Sequence, residues 1–173
     1  PLNAIVGLSE VLVSEDGDAE QRKEDVEIIK KNSDLLLHLS NDILDLSRLE
    51  AGRLKIAYDN YDAVELCKNV MATTEHAKPA DVTYELLTPV DRYLFKTDKQ
   101  SIQQVLINLL SNANKFTREG VIRLEFWLDD EQHRIYFAVT DTGCGIPPGE
   151  EKKIFQRLEK LHEYAQGTGL GLA

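Results

Sequence analysis

The chain has 173 residues, of which 42 % are hydrophobic and 29 % charged, a composition that excludes disordered and fibrous classes and suits one mid-sized folded unit or two small ones. Acids outnumber bases 30 to 20, a formal charge of −10, which argues against nucleic acid or an anionic membrane face as a partner. No apolar run approaches the ~18 residues of a membrane span and no signal peptide opens the chain. The two cysteines, Cys67 and Cys144, lack metal-ligand spacing. A reducing, cytoplasmic compartment is therefore expected, with any membrane anchor lying outside these residues.

Leu2, Ile5, Val6, Leu8, Val11, Leu12 and Val13 recur at helical spacing and predict a helix from Leu2 to Val13. The polar stretch Ser14 to Asp18 reads as a turn. A longer helix is expected from about Glu20 to Ala51. In it Ile29, Leu36 and Ile43 alternate with Leu39 and Leu46 in the 3-4 pattern of a coiled coil or bundle. Gly52 falls where a left-handed C-terminal cap belongs. Two antiparallel helices cannot cover so long a stripe. Either the hairpin packs on the rest of the chain, or two copies form a four-helix bundle, and burial of apolar area favours the bundle. The opening at Pro1 and the unfinished run from Gly167 to Ala173 read as the ends of an excised piece.

The pattern changes after Gly52. Leu54 to Tyr58 alternates weakly, as a strand would. Asp62 is placed to cap a helix reaching Ala77. Val82 to Leu87 and Tyr93 to Lys96 are strand-like, Asp98 caps a helix through about Asn114, and Val121 to Leu128 and Arg134 to Thr140 read as a strand pair. Interspersed strands and helices favour a helix layer on a mixed sheet.

Three features carry chemistry. On the helix after Asp98, Asn108, Asn112 and Lys115 share a face one turn apart. A carboxamide oxygen suits Mg²⁺ and an ammonium suits a phosphate; a plain solvated face is the alternative. Asp141-Thr142-Gly143-Cys144-Gly145-Ile146-Pro147 follows a strand. Its glycines let backbone approach a flat ligand and its carboxylate can accept from an exocyclic amine; an ordinary turn is the alternative. Gly167-Thr168-Gly169-Leu170-Gly171-Leu172 suggests a loop entering a helix whose amides form an anion site, with a merely flexible loop as the alternative. It lacks the Lys-Ser or Lys-Thr of a Walker-type loop.

In this order the three features resemble the transmitter region of two-component sensor histidine kinases, whose nucleotide domain belongs to the GHKL superfamily shared with gyrase, Hsp90 and MutL. Asn108 to Thr117 (NLLSNANKFT) resembles the N box, Asp141 to Pro147 the first glycine box, Ile154 to Leu158 the F box and Gly167 to Leu172 the second glycine box. Pro1-Leu2-Asn3 resembles the tail of the H box, and Asp42 to Gly52 (DILDLSRLEAG) the end of the second dimerisation helix. The resemblance implies an α+β chain. A helical hairpin over residues 1–52 would dimerise into a four-helix bundle. An α/β-sandwich catalytic ATP-binding domain would occupy residues 53–173, with the family pattern cut at both ends.

By the same resemblance, Asn112 ligates Mg²⁺ and Asn108 and Lys115 approach the phosphates of ATP. Phe116 packs near the nucleotide, and Asp141 receives the adenine amino group. Gly143, Gly145 and Ile146 form the loop over the base. Lys160 reaches towards the γ-phosphate from a short lid, Leu158 to Gln166. Gly167, Thr168, Gly169, Leu170 and Gly171 supply amides to the phosphates. Hydrolysing relatives carry a water-activating Glu one turn before the metal-binding Asn. Asn108 stands there instead, so a protein side chain rather than water is the expected phosphoryl acceptor. The family's phosphoacceptor His would lie upstream of Pro1, and His38, His76, His133 and His162 do not match its motif. A homodimer and a response-regulator receiver domain are the implied partners. A GHKL-type ATPase, or a docking pseudokinase without nucleotide chemistry, remains as the alternative.

Overall fold

The computed structural model describes residues 1–13, 18–52, 56–151 and 154. The described residues up to Gly52 form one compact unit and those from Ile56 to Glu151 a second.

The first unit is a helical hairpin of α1 (Leu2–Val13) and α2 (Ala19–Glu50). The Asp18 carboxylate starts α2 by accepting the Glu20 and Gln21 N–H groups at 3.1 and 2.8 Å, which relieves two of the unpaired donors of a helix N-terminus. Gly52 follows α2 at φ +61°, in the expected left-handed cap. Ile29 and Leu39 are half-buried, whereas Val26, Leu36, Leu37, Ile43 and Leu44 are exposed. The apolar stripe of α2 is thus wider than its own hairpin covers.

The second unit runs β1 (Asp59–Asp62), α3 (Ala63–Glu75), β2 (Val82–Leu87), β3 (Leu94–Thr97), α4 (Lys99–Phe116), β4 (Gly120–Asp129) and β5 (Arg134–Asp141). Strands β1 and β3 pair antiparallel. A mixed sheet in the order β2-β4-β5 has β2 parallel and β5 antiparallel to β4. Among the described residues the first strand is β1, not the expected segment Leu54 to Tyr58. Residues 56–58 form no strand, Leu54 and Lys55 lie outside the described residues, and pairing with β3 in the register Asp59↔Thr97 selects the polar segment.

Alternate residues of β4, namely Ile122, Leu124 and Phe126, face Val64, Leu66, Cys67 and Val70 of α3 and Leu106, Leu110 and Ala113 of α4 in one core. Burial pushes the Cys67 thiol up to about 12, because removal from water disfavours the thiolate. Two aspartates fix where the helices begin. Asp62 accepts Val64 N–H at 3.0 Å and Tyr93 N–H at 3.3 Å. Asp98 accepts Ser101 N–H and, through its other oxygen, Ala57 N–H, both at 2.8 Å. With its start pinned and its apolar face on the sheet, α4 delivers its last turn to the end of β5.

Candidate functional site

The site is built where the C-terminal end of α4 meets the loop leaving β5. On α4, Asn108 and Asn112 are half-buried and Lys115 is exposed. Asn108 Oδ1 accepts from Gln104 Nε2 at 3.3 Å, and Lys115 Nζ sits 4.8 Å from the centre of the Phe116 ring, a cation–π distance. Among the described residues the Asn112 carboxamide makes no hydrogen bond, so it is half-withdrawn from water yet open to an incoming partner.

Asp141 ends β5 opposite Ile122. Its Oδ1 accepts Gly143 N–H at 2.8 Å and faces Thr117 Oγ1, a donor at 3.4 Å. Among the described residues Oδ2 accepts nothing. One oxygen is therefore held by the protein and the other is presented outward. Thr142 ties the same loop to β4: its N–H donates to the Val121 carbonyl at 3.2 Å, and its Oγ1 accepts Val121 N–H at 3.0 Å. Cys144 N–H donates to the Phe116 carbonyl at 3.3 Å. The approach is so close that a Cβ on Gly143 would lie 2.5 Å from that carbonyl oxygen and 2.8 Å from Asp141 Oδ1. Gly145 turns at φ +67°, a backbone region where glycine costs least, and Ile146 beyond it is exposed.

The expected residues Asn108, Asn112, Lys115, Phe116, Asp141, Gly143, Gly145 and Ile146 are thus carried by two segments stitched together at Phe116 and Thr117. Lys160, Gly167, Thr168, Gly169, Leu170 and Gly171 lie outside the described residues. So do His162 and the segment Leu158 to Gln166. Sequence reading missed Thr117 as a site residue. It is 1 % exposed, and its only local signal was a hydroxyl directly after the polar run of α4. A separate cleft of about 220 Å³, lined by Tyr61, Asp62, Glu65, Leu66, Asn69 and Lys99, shares none of these residues.

Hard oxygen donors of the carboxamide type fit Mg²⁺. Among the described residues no group of three or more His, Cys, Asp or Glu could hold a metal alone. That donor set suits a cation shared with phosphate oxygens, the usual arrangement for Mg²⁺. Among the described residues no helix is long and apolar enough to cross a membrane.

Two family models match separate stretches of the chain. Residues 1–52 match the His Kinase A (phospho-acceptor) domain, and residues 97–173 match the histidine kinase-, DNA gyrase B- and HSP90-like ATPase family. The circadian input-output histidine kinase CikA of Synechococcus elongatus is 35 % identical over all of this chain and 24 % of its own length. The solved structure of Acinetobacter baumannii histidine kinase AdeS superposes with a TM-score of 0.75 at 23 % identity, covering 99 % of this chain and 79 % of that one. Full-length ShkA, solved in complex with AMPPNP, gives a TM-score of 0.68 at 31 % identity over 99 % of this chain and 36 % of its own. The chain spans 9 % to 25 % of the length of the first curated relatives it matches. With a phospho-acceptor match ahead of an ATPase-family match along one chain, this protein belongs to the two-component sensor histidine kinases and comprises their transmitter region.

Proposed function

We propose that residues 53–173 bind Mg²⁺-ATP as a catalytic domain and that its γ-phosphoryl group passes to a histidine and then to a response-regulator receiver domain. Residues 1–52 serve as the dimerising, phosphotransfer hairpin. The observation that carries this reading is the asymmetric Asp141 carboxylate. Its Oδ1 is bound by Gly143 N–H at 2.8 Å, and Oδ2 is left to accept a hydrogen bond. An exocyclic amine of adenine matches that acceptor, and the O6 of guanine does not. The Asn112 carboxamide, without a partner among the described residues, is the candidate ligand for Mg²⁺. When bound, that ion would neutralise phosphate charge, the main contribution a protein site makes to phosphoryl transfer. Lys115 adds a second positive charge on the same helix face, and by the family resemblance Lys160 and Gly167 to Gly171 are the further candidates for the phosphates.

Asn108 supports transfer over hydrolysis, because a carboxamide is no general base for water. The exposed Leu36, Leu37, Ile43 and Leu44 of α2 support a homodimer in which two hairpins cover each other. Calorimetric titration with Mg²⁺-ATP and Mg²⁺-GTP tests the binding step: ATP should bind and GTP should not. Equal affinity for both would remove the role of Asp141. Labelled ATP incubated with the full-length protein should leave an acid-labile, base-stable phosphoprotein, and steady phosphate release without labelling would instead indicate an ATPase.

A further inference from the structure

Asn114 stands in the polar run of α4 but does not join its binding face. Residues two apart on a helix are separated by about 200°, so Asn114 points away from Asn112. It is 6 % exposed and lies among the inward row Leu106, Leu110 and Ala113. A carboxamide there costs free energy unless both ends are bonded, and both are. Tyr84 Oη on β2 donates to Asn114 Oδ1 at 2.7 Å, and Asn114 Nδ2 donates to the Thr74 carbonyl in the last turn of α3 at 3.0 Å. Tyr84 Oη also lies 3.3 Å from Thr74 Oγ1, whose hydroxyl is directed back to the Val70 carbonyl at 3.1 Å. One side chain of α4 is thereby tied to both α3 and β2.

We infer that Asn114 is a positioning residue that fixes the rotation of α4 about its axis and so aims Asn112, Lys115 and the Phe116 carbonyl at the nucleotide. Apolar contacts set how deeply a helix lies on a sheet but resist rolling weakly, whereas two directional bonds to separate elements oppose a roll. A roll of about 10° moves a side-chain tip on the ~5–6 Å helix surface by about 1 Å, and a misplacement of that size costs on the order of a hundredfold in a positioned reaction. The same roll shifts the Phe116 carbonyl, against which Gly143 and Cys144 are packed. The inference rests on the nucleotide-binding reading of this site and extends it to a residue that touches no ligand.

The test compares the native chain with Tyr84→Phe and with the double variant Asn114→Leu, Tyr84→Phe. The double variant removes donor and acceptor together, which is close to neutral for folding when apolar groups of similar shape replace them. The Thr74 carbonyl still receives Ala77 N–H at 3.2 Å. The expected result is a melting temperature near the native one, with Mg²⁺-ATP affinity about tenfold weaker, the scale of one misdirected hydrogen bond to a charged group. The backbone amide resonances of Gly143 and Cys144 should shift. Tyr84→Phe alone should show a smaller loss in the same direction. Native affinity with unmoved Gly143 and Cys144 resonances in the double variant overturns the inference. So does an affinity loss that only follows a lowered melting temperature. If the native protein takes up no nucleotide, the binding reading fails by itself, and the two amide resonances still decide the positioning claim.

Discussion

Gly143→Ala is the sharpest perturbation of the seam between α4 and the loop after β5. The added Cβ would stand 2.5 Å from the Phe116 carbonyl oxygen, 2.8 Å from Asp141 Oδ1 and 2.9 Å from the Phe116 carbonyl carbon. Ordinary contact begins near 3.4 Å, so about 0.9 Å of movement is required, and two of the three obstacles are backbone at the end of a packed helix. The loop must yield. Its bond from Cys144 N–H to Phe116, already 3.3 Å long, breaks first, and Asp141 Oδ1 loses the Gly143 N–H that orients it. Overpacking of this kind costs about 1–3 kcal/mol. If the cost falls on the binding-competent loop, Mg²⁺-ATP affinity drops about fivefold to 150-fold. Gly145→Ala is the control for folding. Nothing lies within 4 Å of its added Cβ, so only the left-handed backbone is penalised, by roughly 1–2 kcal/mol. Calorimetry and thermal melts of both variants read the two effects. A Gly143→Ala protein with native affinity and native melting temperature would refute the reasoning.

Asp141→Asn should weaken Mg²⁺-ATP about tenfold to a hundredfold in the same calorimetric assay, the scale of one hydrogen bond to a charged group. Gly143 N–H keeps the amide oxygen on its side, so the new NH₂ meets the adenine amine donor to donor. At low pH the Asp98 cap should fail. Backbone N–H groups of Ser101 and Ala57 hold its carboxyl below the ordinary 3.8, so its stabilisation is full above that value and is lost as pH falls through the lowered one. Asp98→Ala should flatten the acid limb of a melting-temperature profile below about pH 4. Alkylation at pH 8 followed by mass spectrometry should modify the exposed Cys144 in the native protein. Cys67, buried and pushed up to about 12, should react only after unfolding, and Mg²⁺-ATP should slow labelling of Cys144.

Where apolar periodicity meets a capping residue, the sequence was readable almost to the residue. Asp98 before the run Ile102 to Ala113 marks the start of α4, and β2, β4 and β5 follow from their β-branched and aromatic alternation. Strand β1 was misplaced because Asp59-Asn60-Tyr61-Asp62 has no strand pattern of its own; its conformation is set by pairing with β3. The candidate residues were legible only as types at a spacing, and the same spacing describes a solvated helix face. What brings α4 and the loop after β5 together is a set of contacts from Phe116 and Thr117 to residues 141–144, and these are long-range. Thr117 and Asn114 escaped notice for the same reason. Their partners lie 24 and 30 residues away, beyond any local pattern.

Asn112 and Asn114 of α4 show that residue type sets a capability and the surroundings select its use. Asn114 meets a phenol and a carbonyl inside the fold and becomes structural, so Asn114→Leu alone removes both bonds, leaves Tyr84 Oη only its 3.3 Å contact with Thr74 Oγ1, and should lower stability by about 1 kcal/mol. Asn112 is half-buried with no partner among the described residues, so water satisfies it in the free protein, the fold gains little from it, and a ligand can take the water's place. Asn112→Leu should therefore leave the melting temperature of the free chain unchanged or raised while removing its Mg²⁺-ATP-induced increase. Opposite signs at two positions one residue removed from Ala113, read in one thermal-shift experiment with and without nucleotide, distinguish a binding face from a packing face. If both variants lower the free-chain melting temperature alike, Asn112 belongs to the packing and the binding face has been assigned to the wrong side of the helix.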